Sequence, residues 1–166
     1  MIINSSDVFD ENIISQIADC KFFRCTREHL IELFNISNSV HVDKWAWEKF
    51  EQLIEYNLPI IGLSKNDDLI GFVTYLACLE EARILNVAVL KEFQNKGYGK
   101  KLLIEALKDA KNNNLRYAMI DVRVSNLKAI SLYTKLGFRI LCVRKDYYDT
   151  DINQLEDSYF MQLELD

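Results

Sequence analysis

Apolar residues recur along the chain with two different spacings, one typical of strands and the other of helices. Residues 59–63 and 69–76 are apolar runs on either side of the polar sequence Lys65-Asn66-Asp67-Asp68, which predicts a β-hairpin. Residues 82–90 follow as a third run that is almost entirely apolar. We expect this run to form a strand in the interior of a sheet, with both of its faces covered.

The spacing becomes helical after Gly97 and stays so until the asparagines at 112–114 interrupt it. The apolar residues of this helix are Leu102, Leu103, Ala106, Leu107 and Ala110. Residues 117–122 then form another apolar run, which predicts a strand. Strand, helix and strand make a β-α-β unit, whose two strands should be parallel and whose crossover should be right-handed.

Helices are also predicted on both sides of this central region. Thr26 can cap an amphipathic helix and Asp43 opens a second one, so that two helices precede the first predicted strand. Nearer the other end, Ser125 or Asn126 can cap a helix that ends at Gly137. The chain therefore mixes the two kinds of element, as α/β proteins do.

The last two predicted strands are residues 138–143 and 159–165, joined by a long polar segment. With 166 residues, of which 49% are apolar, the chain has the size and composition of one globular domain. We therefore predict a single α/β domain over residues 19–166, built on a central mixed sheet flanked by helices. Residues 1–18 are polar and weakly periodic, and we expect them to be an N-terminal extension.

Charge and composition argue against several classes of protein. Twenty basic residues against 25 acidic ones give a net charge of −5, which argues against nucleic acid as a direct partner. No apolar run approaches the roughly 18 residues of a membrane span, and the first residues lack the plan of a secretory signal. We expect a cytoplasmic protein with no membrane partner.

Disulfides and a metal site are not expected either. The four cysteines contain no Cys-x-x-Cys pair and are spread through a chain large enough to fold without cross-links, so we interpret them as buried thiols. Only His29 and His41 could assist a metal site. Both are more simply interpreted as helix-face or surface residues.

The segment with the clearest chemistry is Gln94-Asn95-Lys96-Gly97-Tyr98-Gly99-Lys100, which lies between the apolar third strand and the helix after it. Its two glycines allow the backbone to approach an anion closely, and the helix start and two lysines add positive potential. The segment could therefore hold a pyrophosphate. The alternative is an ordinary glycine turn with solvated lysines.

Two nucleotide-binding motifs fit this segment less well. Gly97-x-Gly99, with Asp121 about 20 residues further on, imitates a dinucleotide fingerprint. However, Leu102 stands where that fingerprint requires its third glycine. A Walker loop requires serine or threonine two residues after Gly99, where this chain has Lys101. Neither class of nucleotide enzyme is predicted.

Several motifs, in order and at matching separations, resemble the GNAT superfamily of N-acetyltransferases, and within it the RimI-type ribosomal-protein-alanine N-acetyltransferases. The matching residues are Asn86-Val87-Ala88-Val89 followed by Gln94-x-x-Gly97-x-Gly99, then Asp121-Val122-Arg123-Val124-Ser125-Asn126, Ala129-Ile130-x-Leu132-Tyr133-x-x-Leu136-Gly137-Phe138, Arg144-Lys145-x-Tyr147-Tyr148 and Glu156-Asp157. Together they span residues 81–165. The resemblance implies the acyl-CoA N-acyltransferase fold of that superfamily, with acetyl-CoA as co-substrate and no metal.

The resemblance assigns the binding of acetyl-CoA to a strand, a loop and one helix start. The backbone of Val87, Ala88 and Val89 would pair with the pantetheine arm as an added strand does, and a backbone N–H beside Val87 would stabilise the oxyanion. The pyrophosphate would bind the loop formed by Gln94, Asn95, Lys96, Gly97, Tyr98, Gly99 and Lys100. Asn126 would contact the pantetheine arm, or act only as a helix N-cap.

The resemblance also makes Tyr133 the general acid that protonates the departing thiolate. A phenol with a pKa of about 10 stays protonated at neutral pH and can donate to a thiolate whose parent thiol has a pKa of about 8.5. Without the motif, Tyr133 would be interpreted as a packed helix residue.

The base of the family is a glutamate, and this chain has Asp121 at that position. Because an aspartate is one methylene shorter, Asp121, Glu81 or water alone could take the proton of the amine. Asp121 could also be a solvated carboxylate or one paired with Arg123.

The acceptor groove of the family is lined by the helical segment before the sheet and by the loop that joins the last strands. Residues 45–50 resemble the family only partly in the first of these regions. In the second, Tyr147 and Tyr148 would flank a peptide N-terminus, or cap a strand. Glu156 and Asp157 could attract a basic peptide or simply solvate a loop.

The implied function is transfer of an acetyl group from acetyl-CoA to the N-terminal α-amine of a protein, such as a ribosomal protein, by direct attack. At neutral pH an α-amine requires about 1.4 kcal/mol for deprotonation and a lysine about 4.6 kcal/mol, so a weak base suits an N-terminus better. No cysteine occupies a matching position, so a covalent acyl-enzyme has no nucleophile. The alternatives are an acetyltransferase for small-molecule amines or lysine side chains, and a CoA-binding regulatory module without catalysis.

Overall fold

The computed structural model describes residues 20–149 and 154–165, so the predicted extension, residues 1–18, lies outside them. The described residues form seven strands and four α-helices. In chain order these are β1 (Cys20–Arg24), α1 (Leu30–Val40), α2 (Trp47–Glu55), β2 (Ile60–Lys65), β3 (Asp68–Cys78), β4 (Glu81–Val89), α3 (Tyr98–Asn112), β5 (Tyr117–Arg123), α4 (Leu127–Lys135), β6 (Arg139–Asp149) and β7 (Leu155–Glu164). Short 3₁₀ turns lie at Arg27–His29 and Lys91–Phe93.

The strands of the described residues form a mixed sheet in the order β1-β2-β3-β4-β5-β7-β6. β4 and β5 run parallel, with Glu81 opposite Tyr117, and α3 lies between them in the chain. The pairs β1–β2, β2–β3, β5–β7 and β6–β7 are antiparallel. The predicted β-α-β unit and the predicted mixed α/β fold are therefore confirmed.

The chain divides into two compact units. The first comprises the described residues up to Thr74 together with Asn86–Leu102, and the second comprises Tyr75–Leu85 and the described residues from Leu103 onward. That residues 19–166 act as one domain stays a prediction.

An aromatic cluster lies in the core of the first unit. Phe50 of α2 is fully buried, and its ring centre lies 5.7 Å from that of Phe34 on α1. The ring centres of Trp45 and Phe72 lie 5.5 Å and 6.4 Å from that of Phe50. These tilted and edge-on arrangements are the favourable ones for aromatic pairs, so the helical spacing of apolar residues fixes how α1 and α2 pack in this unit.

The first predicted helix is confirmed. The 3₁₀ turn Arg27–His29 leads directly into α1, and the N–H of Thr26 donates to Nδ1 of His29 at 3.1 Å. His29 thus satisfies a backbone donor at the helix start, where helices leave such groups without partners.

Helix α2 begins at Trp47, four residues later than the start predicted at Asp43. The side chain of Asn38 explains the delay, because its Nδ2 donates to the C=O of Trp45 and its Oδ1 accepts the N–H of Trp45, both at 2.9 Å. These two bonds hold the backbone of Trp45 outside the helix.

The predicted hairpin is also confirmed. Strands β2 and β3 pair antiparallel, with Lys65 opposite Asp68. The two residues between them, Asn66 and Asp67, have φ angles of 51° and 68°. Positive φ at both central positions is what a two-residue hairpin turn requires, and asparagine and aspartate adopt it most readily after glycine.

Strand β1 was not predicted, and it precedes the two helices that the sequence places before the first predicted strand. It pairs antiparallel with β2, from Cys20 opposite Lys65 to Arg24 opposite Ile61. None of its side chains is fully buried, so the alternation by which a strand is recognised in a sequence is missing. Backbone hydrogen bonds to β2, and not a buried face, hold β1 in the sheet.

Strand β4 is fully buried on only one face. The buried side chains are Ala82, Ile84, Asn86 and Ala88, and those that alternate with them, Arg83, Leu85 and Val87, are half exposed. The prediction that both faces are covered is therefore wrong for one of them. The sequence could not separate the faces because both carry apolar residues.

The last two strands are longer than predicted. β6 extends to Asp149 and β7 starts at Leu155, and these two residues are paired. The segment predicted as a long polar connection is therefore mostly a β-hairpin. Cross-strand charge pairs help a polar sequence to do this, as between Lys145 and Asp157, whose Nζ and Oδ2 are 2.6 Å apart.

Candidate active site

The predicted pyrophosphate loop lies in the first unit, between the end of β4 and the start of α3. At its beginning, the N–H of Leu90 donates to the C=O of Ile70 at 2.9 Å. Further along, Nε2 of Gln94 donates to the C=O of Val89 at 2.9 Å. The side chain of Gln94 therefore holds the loop against the end of the strand.

The backbone of this loop leaves room for a ligand. Asn95 and Gly97 have positive φ angles of 59° and 82°, and a Cβ added to Gly97 would meet no atom within 4 Å. The first helical bond of α3 runs from the N–H of Lys101 to the C=O of Gly97 at 3.1 Å. The first turn of α3 carries no acidic residue, and the N-terminal end of a helix has a positive potential. An anion would be stabilised there.

Positive charge surrounds the start of α3. Lys96 and Lys100 are exposed. Lys65 and Lys101, to which the sequence assigned no role, place their Nζ atoms 5.9 Å and 5.2 Å from the ring centre of Tyr98. Partial burial lowers the pKa of Lys101, and the charge of Lys65 adds to this effect. A nearby anion would relieve the repulsion between the two lysines.

Tyr98 can take part in this loop only through its backbone. Its side chain is 2% exposed, and its hydroxyl accepts a hydrogen bond from Nζ of Lys65 at 3.2 Å. The ring also packs edge-on to Phe93 at 6.2 Å. Its side chain is thus part of the core, so the loop prediction can apply to Tyr98 only through its backbone.

The β4 residues assigned to the pantetheine arm differ in exposure. Val87 is half exposed, whereas Ala88 and Val89 are buried. A Cβ added to Gly71 of β3 would lie 2.7 Å from the carbonyl oxygen of Ala88. Glycine is therefore required at position 71, and at this point the backbones of β3 and β4 approach closely.

The predicted base, Asp121, lies in the second unit and is ion-paired. Its side chain is 16% exposed, and its Oδ2 lies 3.2 Å from Nη1 of Arg144. The hydroxyls of Ser158 and Tyr147 also donate to the carboxylate. Asp121 is therefore neither solvated nor paired with Arg123, which were the two structural alternatives for it.

Two opposing effects act on the pKa of Asp121. Burial raises it above the ordinary value of an aspartate, and the charges of Arg144 and Arg83 lower it. Burial is the larger effect, so this carboxylate is a stronger base than a solvated aspartate would be.

Glu81, the alternative base, lies far from Asp121 along the strand direction. It lies opposite Tyr117, four residues before Asp121 on β5, which corresponds to about 13 Å at the rise of a strand. Its Oε2 lies 3.6 Å from Nη2 of Arg83. Glu81 and Asp121 are thus not two carboxylates at one position.

Tyr133 is buried in the second unit, on α4. Its ring centre lies 5.9 Å from that of Phe138. Burial raises the pKa of Tyr133, and the proximity of Tyr148 adds to this effect. Tyr148 in turn interacts with the charge of Asp121, and burial is the main cause that raises the pKa of Tyr148 to about 12. The phenol of Tyr133 is therefore protonated at neutral pH, as a general acid must be.

Tyr147 and Tyr148 form an edge-on pair with ring centres 5.0 Å apart. Cζ of Arg123 lies 4.4 Å from the ring centre of Tyr148, and Cζ of Arg144 lies 5.3 Å from that of Tyr147. Tyr147 is exposed and Tyr148 is half buried. Of the two, Tyr147 therefore has the more accessible ring.

Glu156 and Asp157 form bonds within the second unit. Glu156 accepts hydrogen bonds from Ser125 and Arg123, which lower its pKa. Asp157 accepts one from Lys145 at 2.6 Å. Because both charges are already balanced, neither residue supports the idea that this hairpin attracts a basic peptide.

Asn126 caps α4, and its Oδ1 accepts the N–H of Ala129 at 3.2 Å. Of the two predicted caps, Ser125 and Asn126, the structure has Asn126. The cap uses the oxygen alone, so the amide group of this exposed side chain is left for a donor role.

The described residues also bear on the predictions about the cysteines, a membrane span and a metal site. None of the four cysteines forms a disulfide, but only Cys25 is buried, so the interpretation of all four as buried thiols is wrong. No helix in residues 20–149 and 154–165 has the length and apolar character of a membrane span. Across the same residues, no three His, Cys, Asp or Glu side chains are grouped so that they could hold a metal ion.

Comparison with known proteins shows the family. The profile of the acetyltransferase (GNAT) family matches residues 26–138. Over 150 residues the chain is 31% identical to the ribosomal protein bS18-alanine N-acetyltransferase of Haemophilus influenzae, covering 90% of this chain and 97% of that one. It is also 31% identical over 124 residues to an N-alpha-acetyltransferase of Saccharolobus solfataricus, covering 67% and 72% of the two chains.

The fold agrees with these relatives. The crystal structure of the ribosomal-protein-S18-alanine N-acetyltransferase from Escherichia coli superposes with a TM-score of 0.82 at 26% identity, over 88% of this chain and 94% of that chain. The chain therefore belongs to the acetyltransferase (GNAT) family and is an acetyl-CoA-dependent N-acetyltransferase.

Proposed function

We propose that this protein transfers the acetyl group of acetyl-CoA to the N-terminal α-amine of a protein, such as a ribosomal protein, by direct attack. The observation that carries the proposal is the presence, in one unit, of the buried phenol of Tyr133 and the ion-paired carboxylate of Asp121. An acid and a base are thereby present in one unit of a chain that is 31% identical to a ribosomal protein bS18-alanine N-acetyltransferase.

Residues of the first unit would hold the co-substrate. The N–H groups at the start of α3, with Lys96 and Lys100, bind the diphosphate of acetyl-CoA, and the space beside Gly97 admits it. The backbone of residues 87–89 pairs with the pantetheine arm. A bound thioester supplies the activated acetyl group, whose developing oxyanion is stabilised by a backbone N–H beside Val87.

The proton transfers are assigned to Asp121 and Tyr133. Asp121 accepts the proton of the incoming amine, directly or through a water, and Tyr133 donates its proton to the sulfur as the thioester bond breaks. Although burial raises the pKa of Asp121, a carboxylate is still a weak base, which is sufficient for an α-amine because its deprotonation at neutral pH requires only about 1.4 kcal/mol. A lysine would require about 4.6 kcal/mol from the same base.

The resemblance assigns two regions of the chain to the acceptor peptide, and each is described within its own unit. The exposed ring of Tyr147, whose hydroxyl donates to Asp121, flanks the peptide N-terminus on the second unit, and Tyr148 supports that ring from behind. In the first unit, the resemblance assigns the acceptor to the connection between α1 and α2, which contains Trp45. A ribosomal acceptor implies a cytoplasmic enzyme, which contacts neither nucleic acid nor membrane directly.

The experiment is an acceptor panel with purified protein and acetyl-CoA. It contains a peptide with the first residues of ribosomal protein bS18, the same peptide with a blocked N-terminus but an internal lysine, and a set of small amines. We expect an acetyl group on the α-amine of the first peptide alone, located by tandem mass spectrometry.

Acetylation of lysine or small amines only would overturn the proposed acceptor. Saturable binding of acetyl-CoA in calorimetry, with no transfer to any amine, would instead support a CoA-binding module.

A further inference from the structure

His41 belongs to a hydrogen-bonded chain that links helix α1 to strand β4. Its Nε2 lies 2.9 Å from Oδ1 of Asn86, and Nδ2 of Asn86 donates to Oγ of Ser37 at 2.9 Å. Asn86 and Ser37 are both buried. The expectation that His41 is an ordinary helix-face or surface residue is therefore wrong, because its ring is bonded to a strand 45 positions further along the chain.

Val87 is the residue after Asn86 on β4, so the bond between His41 and Asn86 attaches the ring beside it. Because Oδ1 of Asn86 can only accept, Nε2 of His41 carries the hydrogen in this pair. Burial lowers the pKa of His41, against the charge of Asp43 and with that of Lys44, so the imidazole is neutral at physiological pH. The link to β4 is thus a neutral hydrogen bond.

The segment after His41 is folded by bonds of its own. Asn38 bonds both the N–H and the C=O of Trp45, and Nζ of Lys44 donates to the C=O of His41 at 2.7 Å and to that of Asn38. These bonds close residues 41–46, the connection between α1 and α2, into a compact turn. The ring of His41 attaches this turn to β4.

We propose that His41 is a positioning residue for the acceptor, which acts through Asn86 to fix the connection between α1 and α2 against β4 beside Val87. This inference rests on the proposed function, in which that connection is assigned to the acceptor. The turn positions the side chain of Trp45. Its ring centre lies 5.5 Å from that of Phe50, and Nζ of Lys49 lies over the ring of Trp45, 5.2 Å from its centre. A shift of the turn would move this ring relative to the strand beside which the acetyl group is transferred.

Two variants of His41 separate positioning from proton transfer. His41→Ala removes the link and leaves the buried oxygen of Asn86 without its donor, so KM for the peptide should rise about tenfold or more. His41→Gln keeps an amide N–H at a similar distance from the backbone and should restore most of the affinity. The Kd of acetyl-CoA should stay within about twofold in both variants, because the start of α3 is unchanged.

The matched control is His29→Ala. His29 is also hydrogen-bonded, through Nδ1 to the N–H of Thr26, and lies at the opposite end of α1 from His41. Its removal should leave KM for the peptide unchanged. A double-mutant cycle with Asn86→Ala tests the route: if His41 acts through Asn86, the variant lacking both should lose little more than the variant lacking Asn86 alone.

Amide hydrogen exchange provides a readout that does not depend on the acceptor. Residues 41–46 should exchange faster in His41→Ala than in the wild type, and at the wild-type rate in His41→Gln. Unchanged exchange and unchanged KM in His41→Ala would overturn the inference. So would a His41→Gln variant as impaired as His41→Ala with a flattened pH dependence of kcat/KM, because the imidazole itself would then be the base.

Failure of the proposed function would look different. If the wild type acetylates no protein N-terminus but does acetylate another amine, the proposed acceptor is wrong, and the exchange rates together with KM for that amine decide the role of His41. If it acetylates no amine, the inference falls with the proposed function, whatever the exchange rates show.

Discussion

Arg144 on β6 is ion-paired with Asp121 on β5, although β7 lies between these two strands. The guanidinium crosses β7 over the ring of Phe160, with Cζ 3.9 Å from the ring centre, and Phe160 is the register partner of Asp121. Its Nη1 thereby reaches within 3.2 Å of Oδ2 of Asp121. The proposed base is thus held by a charge from two strands away.

This arrangement makes the pH dependence of Arg144→Gln informative. Asp121 must be ionised to accept a proton, so kcat/KM should fall as the pH drops through its pKa. Arg144 lowers that pKa, and its removal should raise it. We therefore expect the acid side of the kcat/KM profile to move to higher pH. Arg116→Gln removes an exposed arginine paired with Glu80 and should keep the wild-type profile. If Arg144→Gln also kept the wild-type profile, the assignment of Asp121 as the base would be contradicted.

Tyr133→Phe should remove the general acid without removing the packing of the ring. The expected loss in kcat is about a hundredfold to ten-thousandfold, the usual range for one proton-transfer group. Binding of acetyl-CoA, measured by calorimetry, should not change. Tyr56→Phe, at an exposed position, is the control that should keep full activity. Full turnover by Tyr133→Phe would mean that another group protonates the sulfur.

Gly97→Ala should weaken the binding of acetyl-CoA through backbone conformation. Gly97 has a φ of 82°, so alanine there should cost about 1 kcal/mol or more, although a Cβ would meet no atom within 4 Å. Gly137→Ala is strained in the same way, at a φ of 98°, but lies at the end of α4. Both variants should have a lower melting temperature than the wild type, and only Gly97→Ala should raise the Kd of acetyl-CoA. Equal Kd values for the two variants would argue against the loop as the diphosphate site.

Glu156→Gln should reduce stability in a pH-dependent way. Hydrogen bonds from Ser125 and Arg123 hold the pKa of Glu156 below its usual value, so its contribution is present above the unfolded pKa of about 4.3 and is lost as the pH falls through the folded pKa. The melting temperature of the wild type should therefore be higher than that of Glu156→Gln at pH 7, and the difference between the two should shrink below about pH 4. Asp67→Asn, in an exposed pair with Lys21, should change the melting temperature little at either pH.

Elements that depend on neighbouring residues were predictable. The helical spacing after Gly97, the polar turn at 65–68 and the apolar run of β5 each act within a few residues, and the structure has α3, the β2–β3 hairpin and β5 in those places. The glycine loop belongs to the same class, since glycine spacing and a helix start are local features. Strand β1 escaped notice because its pairing with β2, some 40 residues away, leaves no periodicity in its own five residues.

Partners across the chain were not predictable. Arg123, the neighbour suggested for Asp121, pairs instead with Glu156, while Arg144 takes the place beside Asp121. His41 was indistinguishable from a surface histidine until Asn86 was seen beside it. In both cases strand register and helix packing, which join distant parts of the chain, choose the partner.

The order of amino acids alone was thus enough to predict a mixed α/β acetyltransferase, because periodicity indicates the helices and strands and several motifs resemble those of the family. The loop for a diphosphate and the roles of Tyr133 and Asp121 follow from the same resemblance and stay predictions. Folding determined which arginines pair with Asp121 and Glu156, which tyrosines are buried, and that His41 is hydrogen-bonded to β4. Those properties follow from burial and from hydrogen bonds between residues far apart in sequence, and neither exists before the strands are in register.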